Sequence, residues 1–208
     1  NLSNSMIWTK TGSMVAYQGD VAFEHAGSGG MSRMLKKAVS GEGTTLMKMS
    51  GTGEVFLADT AQEIHLLYLE NDAITVNGQN LLAFDAGIDW DIKRVEGASG
   101  MMGGGLYNMA LTGTGWVSII SDGPPVLLNT GEAPTFADPQ AAITWSEGLS
   151  TSVKTNVSMK NLIGRGSGES FQMSFSGKGW VLVQPSEGRV AAPGAASGSS
   201  GGISKILS

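Results

Sequence analysis

The chain has 208 residues and a formal net charge of −5, and its 13 basic and 18 acidic side chains together equal its 31 glycines in number. With 41% hydrophobic and 15% charged residues it lies far from the charged, weakly hydrophobic regime of disordered chains. Its glycine content also excludes a bundle of long helices, because each interior glycine costs about 1 kcal/mol of helix stability.

What remains is an all-β protein with many tight turns, and its elements recur along the chain. First come Met14-Val-Ala-Tyr17, a polar turn and an alternating strand near Val21-Ala-Phe23. A glycine-rich insert follows over residues 27–43. In it Met31, Met34, Leu35, Ala38 and Val39 fall at i, i+3, i+4, i+7 and i+8, which predicts one short helix. Residues 46–57 then read as apolar alternation around Gly51-Thr-Gly53. The same order returns as Leu81-Leu-Ala-Phe84, Ile88-Asp-Trp90, an insert at 97–106 holding Met101, Met102 and Leu106, and alternation around Gly113-Thr-Gly115. It returns once more as Ala142-Ile-Thr-Trp145, a strand over 149–157, an insert at 159–168 holding Leu162 and Ile163, and alternation around Gly177-Lys-Gly179. Period-two hydrophobicity on both sides of each Gly-x-Gly predicts two strands, with the glycines supplying a bulge or tight bend between them. The chain therefore reads as three repeats, about 6–72, 73–132 and 133–188, followed by an Ala/Gly/Ser-rich linker and tail over 189–208.

Few residues suggest chemistry. With no cysteine there is no disulfide, thiol nucleophile or thiolate metal site. His25 and His65 are the two histidines, both in predicted strands, and His65 is expected to be exposed or at a rim, with Ile64 and Leu66 on the opposite strand face. Asp85, Asp89 and Asp91 cluster, but without the ligand spacing of a calcium loop, so a turn and a solvated strand face account for them. The inserts carry neither a phosphate-binding Gly-x-x-x-x-Gly-Lys-Ser/Thr motif nor a dinucleotide fingerprint. No catalytic residue, metal or cofactor is expected. Trp116 and Trp180 follow the second glycine of their repeats, which predicts packing in the core or between repeats.

Threefold repetition should gather the inserts at one end of the molecule. There Met31, Met34, Leu35, Met101, Met102, Leu106, Leu162 and Ile163 would form an adaptable apolar surface for a protein partner or a membrane. The expected function is a non-enzymatic, homo-oligomeric scaffold or interaction protein. The alternative is a protein that binds a small molecule or single-stranded nucleic acid in grooves between repeats, although the acidic charge argues against a specific nucleic acid. Apolar runs too short for a transmembrane helix and no visible signal peptide point to a cytoplasmic, bacterial-type chain that could touch a membrane peripherally.

Gly29-Gly30, the helix to Val39, Gly41-Glu42-Gly43 and Gly51-x-Gly53 resemble the AIM24 family. So do Leu81-Leu-Ala-Phe-Asp85 with Ile88-Asp-Trp-Asp-Ile-Lys93, Gly103-Gly-Gly-Leu-Tyr107 and Gly113-Thr-Gly115. Gly103-Gly-Gly stands where the family usually has Gly-Glu-Gly, and the tail lies outside its pattern. The resemblance implies three tandem modules, each a small β-sandwich or double-stranded β-helix, about a pseudo-threefold axis, similar in fold to the tryptophan RNA-binding attenuator protein. It also implies oligomer formation and, in mitochondrial members, a role in inner-membrane organisation. It supplies no catalytic residue.

Overall fold

The structure, a computed structural model, describes residues 1–25, 46–94, 107–155 and 171–186. The described residues form an all-β fold. In chain order the strands are β1 (Leu2–Lys10), β2 (Met14–His25), β3 (Leu46–Leu57), β4 (Glu63–Asn77), β5 (Leu81–Asp85), β6 (Asp89–Arg94) and β7 (Tyr107–Ser121). They continue with β8 (Val126–Asn129), β9 (Thr135–Ala137), β10 (Ala142–Ser146), β11 (Ser150–Thr155), β12 (Phe171–Ser176) and β13 (Trp180–Val183). The predicted helix around Met31 to Val39, the three inserts and the tail lie outside the described residues.

Every ladder is antiparallel. The main sheet runs in the order β2-β3-β1-β5-β7-β4-β10-β13-β8, with β6 also on β7, and a second sheet runs β11-β12-β9. Geometry recurs along this path. Tyr17, Phe84 and Trp145 lie opposite Val55, Val117 and Val181, each four residues past the first glycine of its Gly-x-Gly. Just before each aromatic the register slips in the same way, between Met14 and Ala16, Leu81 and Ala83, and Ala142 and Thr144. Where each of these strands begins, a backbone hydrogen bond closes the corner: Ala58 N to Ser13 O at 2.8 Å, Ile120 N to Asn80 O at 2.8 Å and Gln184 N to Ala141 O at 2.9 Å.

The glycine pairs sit where strands must cross closely. Gly51, Gly113 and Gly177 take φ of +133°, +138° and +120°, a region almost closed to other residues. The second glycines make room for what passes over them. A Cβ on Gly115 would lie 3.0 Å from the Asp85 side chain, and one on Gly179 would lie 2.8 Å from Ser146 Oγ. On Gly53 it would overlap the Gln18 carbonyl oxygen. β3 and β7 run continuously through their glycine pairs, whereas the chain breaks at the third pair into β12 and β13.

One expectation fails in the first copy. No turn follows Tyr17, because β2 continues to His25. Gly19 faces Gly53 there, and with no Cβ on either residue the two backbones stay in register. One residue past the matching aromatics, where the first copy has Gln18, Asp85 and Ser146 accept the Trp116 and Trp180 backbone N–H groups, and the chain turns into β6 and β11.

The largest core cluster gathers Ile74, Val76, Leu81, Phe84, Leu111, Val117, Ile119 and Ile143, all at most 2% exposed. Trp8, Trp90 and Trp180 pack against it half-buried. A second cluster centres on Trp145 and Phe175, edge to face with ring centroids 5.4 Å apart, and a third on Leu2, Met47 and Met49.

Candidate functional site

β4 is apolar on both faces, and the face that stays uncovered is the one an amphipathic strand would bury. Side chains alternate along a strand, so His65, Leu67 and Leu69 turn inward while Ile64, Leu66 and Tyr68 point outward, at 45%, 64% and 53% exposure. On the neighbouring β7, Trp116 lies opposite Tyr68 and their rings meet edge to face at 5.0 Å. Trp116 is 51% exposed. That corrects the expectation of core packing: Trp180, in the corresponding position, packs against the core, but Trp116 lies on the open face of its sheet. Leu127 on β8 stands opposite Leu182 as Leu66 stands opposite Ser118, and it is equally exposed. The signal for this face is present in Ile64-His-Leu-Leu-Tyr-Leu69, where apolar side chains occupy both parities, as in strands covered on both sides.

His65 is partly buried, its side chain 28% exposed. Its Nε2 lies 2.7 Å from Ser121 Oγ and 3.9 Å from Glu63 Oε2. The trio resembles a nucleophile, base and carboxylate, but the geometry is wrong for one. In a catalytic triad the carboxylate holds the ring nitrogen remote from the nucleophile, whereas here both partners approach the same nitrogen. Ser121 is fully buried and donates its proton to Gly123 O at 2.7 Å. His65 Nε2 must therefore donate to Ser121 Oγ, and cannot act as its base.

The carboxylates are held by structure. Asp85 Oδ2 accepts the Trp116 backbone N–H at 2.8 Å and so ties the corner after β5 to β7, as Ser146 Oγ ties Trp180 N at 3.1 Å. Asp89 and Asp91 lie opposite Thr112 and Ala110, while His65 lies opposite Ile119 on the same strand. At about 3.4 Å per residue that separation is roughly 24–31 Å. Glu147 accepts a hydrogen bond from Thr75 Oγ1 at 2.6 Å and pairs with Lys93. Burial pushes the Glu147 carboxyl up, but the hydrogen bonds from Lys93 and Thr75, with the lysine charge, outweigh it and hold the group below its ordinary value. Among the described residues no three His, Asp or Glu side chains converge as metal ligands would.

Three clefts among the described residues are open to solvent. One of about 490 Å³ is floored by Phe136 and Phe175, and one of about 550 Å³ lies between Asn4, Asp20, Lys48 and Gly51. A third of about 210 Å³ lies where the three corner hydrogen bonds gather, lined by Lys10, Asp59, Gln62, Asn80, Asp122 and Gln184. Its polar groups are spent on one another: Lys10 Nζ with Asp59 at 2.6 Å, Gln62 Nε2 with Asp122 at 2.9 Å and Asn80 Nδ2 with Ile120 O at 2.9 Å. Among the described residues no buried side-chain polar atom lacks a partner. A network satisfied in this way fixes segments in place and leaves little to offer a ligand.

Met31, Met34, Leu35, Met101, Met102, Leu106, Leu162 and Ile163, the apolar surface expected from the inserts, lie outside the described residues. Among the described residues no helix is long and apolar enough to cross a membrane.

The comparisons with known proteins agree with this fold. No curated protein matches the chain. An X-ray crystal structure of a Streptococcus pyogenes protein is similar to it with a TM-score of 0.71 at 23% identity, over 88% of this chain and 84% of the other. The sequence pattern of the family described as "Mitochondrial biogenesis AIM24" matches residues 1–186, and the chain belongs to the AIM24 family.

Proposed function

We propose that this chain is a non-enzymatic, homo-oligomeric interaction protein, built of three β modules, about 6–72, 73–132 and 133–188, around a pseudo-threefold axis. The recurring register slips and corner hydrogen bonds support the modular reading. The observation that carries the function is the outer face of β4 and β7. Ile64, Leu66, Tyr68 and Trp116 form one contiguous apolar stripe on a sheet face where polar residues are the rule. Such a stripe gains by being covered, at about 25 cal/mol for each Å² removed from water. The occupied hydrogen bonds of His65, Ser121 and Asp85 support the absence of catalysis.

Size-exclusion chromatography with light scattering tests the reading. The wild type is expected as a defined oligomer at micromolar concentration, and Leu66→Glu, which puts a charge in the middle of the stripe, is expected to weaken self-association or partner capture without unfolding the chain. A wild type that is monomeric throughout overturns the homo-oligomer. Flotation of the wild type with liposomes would replace the protein partner by a lipid surface, an occupant that the net charge of −5 disfavours for anionic headgroups.

A further inference from the structure

The outer half of β4 is an open sheet edge. Over residues 74–76 the strand lies between β7 and β10, whereas over residues 63–69 its ladder partner among the described residues is β7 alone. The third copy leaves the corresponding place open as well: β8, whose Leu127 stands as Leu66 does, pairs with β13 alone among the described residues. Repetition of the module therefore does not cover this edge from within the chain.

The two edges are not equally available. β8 has four residues and follows Pro124-Pro125, which offer no N–H to an incoming strand. Residues 63–69 contain neither proline nor glycine, and the register with β7 holds until the slip between Leu69 and Asp72. Between Glu63 and Glu70 there is no acidic residue, lysine or arginine to repel an added strand. Ile64, Leu66 and Tyr68 stand exposed on the outer face, and even the inward-turned His65 and Leu67 are only partly buried.

We propose that two copies of this chain pair β4 to β4, antiparallel, across a twofold axis at Leu66, so that their sheets join edge to edge. An added strand keeps the pleat, so the apolar face is preserved only when even-numbered residues oppose even-numbered ones. Centring on Leu66 sets Leu66 against itself and Ile64 against the partner's Tyr68, a β-branched side chain facing an aromatic one. It also keeps the acids apart, since Glu63 meets the partner's Leu69 and Glu70 meets the partner's Gln62. Centring on His65 would put Tyr68 against Gln62, and centring on Leu67 would put Ile64 against Glu70. The strand is thus complementary to itself in one register, which is why its occupant is a second copy. Trp116, edge to face on Tyr68, steadies that ring from the next strand. The contact is isologous and closes at a dimer. It rests on the homo-oligomeric reading and adds the occupant of the β4 edge and its register.

The chain has no cysteine of its own, so single substitutions report cleanly. Directly opposed residues of an antiparallel pair have Cα atoms about 4.5–5.5 Å apart, inside the range a disulfide spans. Leu66→Cys alone, under mild oxidation, should give a disulfide-linked dimer. Ile64→Cys mixed with a differently tagged Tyr68→Cys chain should give a dimer containing one of each, and Ile64→Cys by itself several-fold less. Ser118→Cys, opposite Leu66 on β7 and so three strand spacings, about 14 Å, from its twin, should give none. If Leu66→Cys loses its β circular-dichroism spectrum, the mixed pair tests the same register. Three results overturn the proposal. A dimer as abundant through Ser118→Cys as through Leu66→Cys means that the outer faces stack instead of the edges pairing. An oligomer by light scattering with no cross-link from Leu66→Cys or the mixed pair means that another surface joins the copies, and leaves the oligomeric reading standing. A monomeric wild type removes both.

Discussion

Replacing the first glycine of each pair by alanine separates backbone strain from steric overlap within one molecule. Gly51, Gly113 and Gly177 share nearly the same φ, +133°, +138° and +120°, so the conformational cost, about 1–3 kcal/mol, is common to all three. The surroundings differ. At Gly177 the new methyl would meet Leu149 Cδ2 at 3.3 Å, the mobile end of a side chain, so Gly177→Ala should cost little beyond that common cost, about 1–2 kcal/mol. At Gly113 it would meet the Gly87 carbonyl oxygen at 3.1 Å, in a turn that can retreat by a few tenths of an ångström, for a total of about 2–3 kcal/mol. At Gly51 it would overlap the Asp20 carbonyl oxygen in the middle of the β2–β3 ladder. Relief there requires parting the strands and losing hydrogen bonds at about 1 kcal/mol each, so Gly51→Ala should cost about 4 kcal/mol or more. Urea unfolding reads the series: with a slope of about 2 kcal/mol per molar, midpoints should fall by under ~1 M, ~1–1.5 M and ~2 M or more respectively. Equal losses at the three sites, or the largest loss at Gly177, would refute the argument from close approach.

Trp145→Ala, at 3% exposure and packed edge to face on Phe175, should destabilise by about 3–5 kcal/mol in the same urea experiment. Trp116→Ser, by contrast, removes a half-exposed ring and should leave the unfolding midpoint close to wild type while reducing the self-association seen by light scattering. Ser121→Ala strands the His65 Nε2–H and the Gly123 carbonyl, at about 1–3 kcal/mol. The Glu147 carboxyl is held below its ordinary value in the fold, so its stabilising effect is full above the unfolded-state pKa and disappears as pH falls through the lower folded one. Lys93→Met should therefore lower the melting temperature at neutral pH and match the wild type in acid, where Glu147 is protonated. An equal gap at both pH values would assign the lysine a packing role.

The residues that could be read correctly from the sequence are those whose signal is local. Apolar alternation around Gly51, Gly113 and Gly177 places β3, β7 and the β12–β13 pair, because pleating fixes a side-chain period of two and close strand crossings need a residue without Cβ. The polar residues were harder. Asp85 reads as a turn residue, yet its carboxylate accepts a backbone N–H 31 residues away. His65 reads as a rim residue, yet its partner is Ser121, 56 residues on. No local spacing encodes such contacts. At Tyr17 the motif that turns at Asp85 and Ser146 does not turn: Gln18 follows the aromatic instead, and Gly19 stays paired with Gly53 on another strand.

The sequence by itself therefore determines an all-β chain whose Gly-x-Gly strands and preceding aromatics recur three times, because periodicity and glycine geometry act within a few residues. Only the tertiary structure decides which of those equivalent positions are buried. Tyr17, Phe84 and Trp145 hold one place in one motif, yet the first is half exposed and the other two are core. Phe84 and Trp145 lie on strands flanked on both edges, β5 by β1 and β7 and β10 by β4 and β13, whereas among the described residues β2 is flanked by β3 alone. The same holds for Ile64, Leu66 and Tyr68, apolar in sequence and open in the fold because among the described residues nothing packs over that face of β4.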